Sequence, residues 1–175
     1  MPQNSRQKPG PTAIVVSRYN TSITGVMLDG AVAEYTQRGG DASQLAILEA
    51  PGTFELVAIA GAAARTGRYH AIVCLGCVIK GETTHDEHIA RAVAHGLIDL
   101  TNTLGIPFSY GVVTTLTTEQ ARARAGGDKG NKGADAMSAA LDAADAMRAV
   151  REAHQANTPG VRFTPGLTPH DKAAR

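Results

Sequence analysis

The stretch that most limits how this chain can fold is A-I-V-C-L-G-C-V-I, residues 71–79, followed directly by K-G-E-T-T. An unbroken apolar run of this length, closed by a polar turn, reads as a strand buried on both faces. Lys80-Gly81 turns the chain, and Glu82-Thr83-Thr84 leads into a helical pattern that starts near His85. A doubly buried strand feeding a helix belongs to a parallel sheet covered by helices. Such sheets bind ligands beyond the carboxyl ends of their strands, beside the positive ends of helices. Residues 71–88 are therefore expected to carry the chemistry. His85 sits at the junction, where an imidazole suits proton transfer near a bound anion.

The rest of the chain repeats the alternation. Short β-rich runs at 13–17, 45–48 and 108–116 join 71–79 as expected strands. Helical spacing predicts helices from Thr21 or Ser22 to about Arg38, over 54–65, over 85–104, from Thr117 or Thr118 to about Ala125, and to about His154. A Gly-rich link, 126–133, reads as a plain helix-to-helix connection. The expected fold is a three-layer α/β/α sandwich with a four-stranded parallel sheet, flavodoxin-like, with right-handed crossovers. Residues 1–11 read as a flexible arm, 12–155 as the α/β domain and 156–175 as a flexible tail. Small-residue stripes at 60–64 and 136–146 are expected on outer helix faces, where self-association would cover them.

Charge and length exclude several functions. Seventeen basic against sixteen acidic residues leave a net charge of +1, which argues against a general nucleic-acid or membrane-surface binder. No apolar run approaches the ~20 residues of a membrane span. The start, M-P-Q-N-S-R-Q-K-P-G-P, lacks the hydrophobic segment of a secretory signal. Two cysteines cannot make a disulfide framework, and the cytoplasm is the expected location.

Spacing alone leaves two readings of His85 open: a capping residue that bonds a loop, or a proton-transfer group. His88 follows three residues on and reads as a partner-facing or surface residue. Cys74-x-x-Cys77 with His85-x-x-His88 invites a zinc reading, which strand geometry rejects. Residues three apart in a strand point to opposite faces. Pro51-Gly52-Thr53-Phe54-Glu55 puts an aromatic and a carboxylate at a helix start. Phe54 reads either as a core anchor or as a stacking ring, and Glu55 either as a first-turn acid or as a polyol ligand. The 126–133 link lacks the lysine offset of a phosphate loop. Arg122 and Arg124 before it are better anion candidates.

In order and spacing, Arg18-Tyr19-Asn20, Pro51-Gly52-Thr53-Phe54-Glu55, G-C-V-I-K-G-E-T-T-H ending at His85, Tyr110-Gly111-Val112-Val113-Thr114 and Gly130-Asn131-Lys132-Gly133 together resemble the lumazine synthase family over roughly 12–150. The resemblance implies condensation of 5-amino-6-(D-ribitylamino)uracil with 3,4-dihydroxy-2-butanone 4-phosphate, without metal or organic cofactor. It further implies Tyr19 stacking on the pyrimidine, with Thr53, Phe54 and Glu55 holding the ribityl chain. Cys77, Val78 and Ile79 would present backbone groups, Glu82 and Thr83 would flank the butanone phosphate, and His85 would move protons. Tyr110 and Arg124 would come from a neighbouring subunit, Arg124 gripping phosphate.

The family assembles as pentamers, some closing into sixty-subunit shells. The alternatives on the same scaffold are a non-catalytic flavin- or lumazine-binding protein and a structural assembly protein. The chain also departs from the family pattern. Tyr19 stands where Phe or Trp is usual, and Thr53 replaces a common alanine. Asp86-Glu87-His88 puts ionisable groups at a helix start the family keeps more apolar.

Overall fold

The structure, a computed structural model, describes residues 8–158. Four parallel strands form its sheet in the order β2-β1-β3-β4, with β1 at Thr12–Ser17, β2 at Leu45–Ala50, β3 at Ala71–Ile79 and β4 at Phe108–Thr115. The two apolar runs without polar interruption take the centre. All of β1 is buried, and so is β3 up to its last residue. The edge strands β2 and β4 are more open, β2 being buried only at Ala50 and β4 only at Gly111, Val112 and Val113, because only one neighbour covers each.

Alternation along the strands feeds two cores. Ile14, Val16, Val73, Leu75 and Cys77 pack with helices α1 (Thr21–Gln37), α4 (Thr118–Arg124) and α5 (Lys132–Gln155). Ala13, Val15, Ile72, Cys74 and Val78 pack with α2 (Leu56–Arg65) and α3 (His85–Leu104) on the other face. Cys74 and Cys77 thus occupy opposite faces, as the strand period demands. The α/β/α layering matches the sequence expectation. The chain moves outward from β1 to β2, then returns across β1 to β3. The strand order therefore reverses between β1 and β3, and a crevice opens at their carboxyl ends.

Several details differ from the sequence reading. The alanine stripes face outward only in part, at Ala62, Ala139 and Ala146. Ala60, Ala63, Ala64, Ala136 and Ala140 are buried against the sheet within this chain, since small side chains let helices approach a sheet closely. Residues 126–133 are more than a link. They hold a small antiparallel hairpin, β5 (Ala125–Gly127) with β6 (Gly130–Asn131), and α5 begins at Lys132. Gly133 in its first turn lies so close to α1 that a Cβ there would strike the Met27 carbonyl. The Asn131 carboxamide caps α5, accepting from the Gly133 and Ala134 N–H groups while donating to Val26 O.

Helix α1 is preceded by Asn20 in the cap position, rather than by Thr21 or Ser22. Thr117 does cap α4, accepting from Gln120 N at 3.3 Å, while the Gln120 side-chain oxygen accepts from Leu116 N at 3.0 Å. Within the arm expected over 1–11, residues 1–7 lie outside the described residues. Gly10 and Pro11 are tied down, Gly10 O accepting from the Tyr35 hydroxyl and Pro11 O from His70 N. Most of the expected tail, 159–175, also lies outside the described residues. A second compact unit begins at Ala146, inside α5; its described residues carry that helix to its end at Gln155, and Asn157 beyond it has φ 51°.

Candidate active site

The crevice at the switch point is a cleft of about 360 Å³. Three loops converge on it, one after each of β1, β2 and β3. The first carries Tyr19, which is 72% exposed, and Asn20. The second carries Gly52, Thr53, Phe54 and Glu55; Phe54 is 59% exposed and is no core anchor. The helix starts only at Leu56, which takes the buried position instead. Thr53 is only 6% exposed and lies over Gly76 of β3, where a Cβ would come within 2.8 Å of its methyl group. Gly76 therefore sets how deep the second loop can sit.

The third wall is the end of β3, Cys77, Val78 and Ile79, followed by His85 at the first turn of α3. Burial pushes the Cys77 thiol up to about 11 and the Cys74 thiol up to about 12, so both are neutral sulfhydryls at physiological pH. His85 is solvent-exposed, and its Nδ1 lies 2.7 Å from the Thr83 hydroxyl. That contact orients the ring and leaves Nε2 for a ligand. Gly81 gives the ring room, since a Cβ there would fall 3.1 Å from its Cε1. Eight sequence-expected residues thus share one cleft: Tyr19, Thr53, Phe54, Glu55, Cys77, Val78, Ile79 and His85. Glu82 and Thr83 lie exposed on the loop beside it.

Tyr110 and Arg124 do not join them. They line a second cleft of about 400 Å³ between β4 and α5. Tyr110 is on the edge strand, 41% exposed, and burial of the rest raises its phenol, which stays a neutral hydroxyl. Arg124 ends α4 and donates from one guanidinium nitrogen to Gln120 O at 3.1 Å. Lys132 also lines this cleft, its Nζ 2.7 Å from Asp135 Oδ2. Sequence reasoning missed Lys132 because 126–133 read as a link; the hairpin is what brings Arg124 and Lys132 to the same cleft. Arg122 is exposed and lines neither cleft.

The departure at 86–88 has a distinct geometry. The Asp86 side chain is 15% exposed, with one oxygen 3.9 Å from Lys80 Nζ and the other buried without a hydrogen-bond partner among the described residues. Glu87 pairs with Arg91 one turn on, and His88 is exposed. Among the described residues, no group of three or more His, Cys, Asp or Glu side chains is disposed to hold a metal ion. No helix there is long and apolar enough to cross a membrane.

The family model described as 6,7-dimethyl-8-ribityllumazine synthase matches residues 11–148. The protein named 6,7-dimethyl-8-ribityllumazine synthase 1 of Caulobacter vibrioides is 46% identical over 123 residues, covering 70% of this chain and 80% of that one. The synthase of Coxiella burnetii is 40% identical over 119 residues, 68% of this chain and 79% of its own. That of Bacteroides fragilis is 42% identical over 118 residues, with 67% and 82% covered. The chain belongs to the 6,7-dimethyl-8-ribityllumazine synthase family.

Proposed function

We propose that this chain is the transferase of riboflavin biosynthesis that condenses 5-amino-6-(D-ribitylamino)uracil with 3,4-dihydroxy-2-butanone 4-phosphate, giving 6,7-dimethyl-8-ribityllumazine, phosphate and water. The observation that carries the reading, beside family membership, is the exposed His85 imidazole in one cleft with two exposed aromatic rings and Glu55. The pyrimidine stacks on Tyr19, and the ribityl chain runs along Thr53, Phe54 and Glu55. Backbone groups of Cys77, Val78 and Ile79 fix the ring edge. The butanone phosphate lies by Glu82 and Thr83.

Imine formation, phosphate loss and ring closure each move protons, and none asks the protein for a strong nucleophile. His85 passes those protons, contributing ~10²–10⁴-fold. Holding the two substrates in register supplies much of the remainder. The neutral thiols of Cys74 and Cys77 suit this assignment, since neither is poised to attack a carbonyl.

The phosphate needs a cation, and the first cleft offers none among its lining residues. Arg124 lies in the second cleft, so the reading takes each site to be shared. The His85 cleft of one subunit meets the Tyr110 and Arg124 cleft of its neighbour in a cytoplasmic homopentamer, the ring from which sixty-subunit shells are also built. No metal or organic cofactor takes part. The test mixes purified protein with both substrates and follows lumazine absorbance together with phosphate release. Stoichiometric appearance of both supports the reading, and binding without turnover refutes it.

A further inference from the structure

We infer that Asn20 is a positioning residue that holds the Tyr19 platform at the height a planar ring requires, an inference that rests on the proposed site. The pairing of β1 with β3 ends at Val16 and Leu75, so the two strands part as they reach the cleft. Beyond that point, Asn20 Nδ2 donates to Cys77 O at 3.0 Å and supplies a further rung from a side chain. Its backbone carbonyl accepts from Ile23 N at 2.8 Å and Thr24 N at 3.0 Å, opening α1. Asn20 does both from a left-handed conformation, φ 60° and ψ 46°, which asparagine tolerates better than most residues.

Its side chain makes no helix-cap bond. A side chain in that position ordinarily caps the helix; here it is spent across the crevice. Tyr19 immediately precedes this pin. Its own backbone N–H is held by Ser17 Oγ at 3.2 Å, and Arg18 N is held by Ala50 O at 2.8 Å. The exposed ring thus has a backbone fixed on both sides, with the anchor to β3 supplied by the Asn20 side chain.

The test measures equilibrium binding of 6-ribitylaminouracil, which lacks the 5-amino group and cannot condense, and in parallel the KM for butanone phosphate. Asn20→Gly keeps the left-handed turn and removes the pin. Asn20→Asp keeps the shape and removes the donor, and it serves if the glycine variant does not fold. Either substitution is expected to weaken pyrimidine binding about tenfold while leaving the butanone phosphate KM within about twofold. In a Tyr19→Ala background the same substitution is expected to change pyrimidine binding by less than about twofold, because the effect passes through the ring. Equal losses in both backgrounds, equal losses for both substrates, or no loss at all would overturn the inference. The binding arms need no turnover, so a wild-type chain that binds the pyrimidine but fails to condense it refutes the reaction and leaves the pin separately tested.

Discussion

The two clefts flanking the sheet differ in nearly everything but size. The one at the switch point is walled by backbone, exposed aromatic rings and the neutral Cys77 thiol, and its one imidazole is held by a threonine. The one between β4 and α5 gathers Arg124 and Lys132 beside Tyr110. The first suits a planar ring and a hydroxylated chain; the second suits an anion. A reaction that joins a ribitylated pyrimidine to a sugar phosphate needs both kinds of surface. A single chain offers them apart, which is the physical ground for the proposed sharing of the site between subunits.

The comparison breaks first, if it is wrong, at His85. His85→Ala is expected to lower kcat by ~10²–10⁴-fold while moving either KM by less than about threefold. Steady-state kinetics with each substrate varied will show this, and a change confined to KM would make His85 a binding residue. Arg124→Ala is expected to raise the KM for butanone phosphate by about 10–100-fold, with pyrimidine binding unmoved. A kinetically silent Arg124 would remove the second cleft from the site.

A smaller effect separates the two clefts by chemistry. With its proton affinity raised, Cys77 carries even less thiolate at neutral pH than an ordinary thiol, and the fraction grows only as pH climbs toward about 11. Iodoacetamide at pH 7.5 is therefore expected to leave activity intact over a period that fully alkylates free cysteine, with inactivation accelerating as pH rises. Fast inactivation at pH 7.5 would mean that the first cleft holds an activated thiol.

Cys74 should act on stability rather than on activity. Between its ordinary value of 9.0 and its folded value of about 12, the unfolded chain sheds a proton that the folded chain keeps. Stability should therefore fall with pH in that window, by up to about 1.4 kcal/mol per pH unit. Cys74→Ala should flatten that slope in alkaline unfolding titrations.

How much of this was legible depends on where the information resides. Strand β3 and helix α3 match the sequence reading to the residue, because an uninterrupted apolar run and a polar turn leave no other register. The first cleft was legible for a related reason: its residues lie within a few positions of the ends of β1, β2 and β3, and sheet topology then brings them together. Tertiary packing decided the rest. The alanines of α2 and α5 look like a free apolar face in sequence, yet the sheet covers Ala60, Ala63, Ala64, Ala136 and Ala140. Whether Phe54 is core or platform depended on Leu56 taking the inward position. Lys132 went unseen because a Gly-rich segment gives no periodic sign of a hairpin, whose register is fixed by Gly126 and Gly130 at positive φ.

The most direct measurement uses two disabled proteins. His85→Ala and Arg124→Ala chains are unfolded together in equal amounts, reassembled, and assayed at low butanone phosphate. If each site takes His85 from one subunit and Arg124 from the next, random mixing leaves about one site in four with both groups, and activity should recover to about a quarter of the wild-type level. Activity no greater than the average of the two variants reassembled separately would mean that each chain works alone, and the shared site would be wrong.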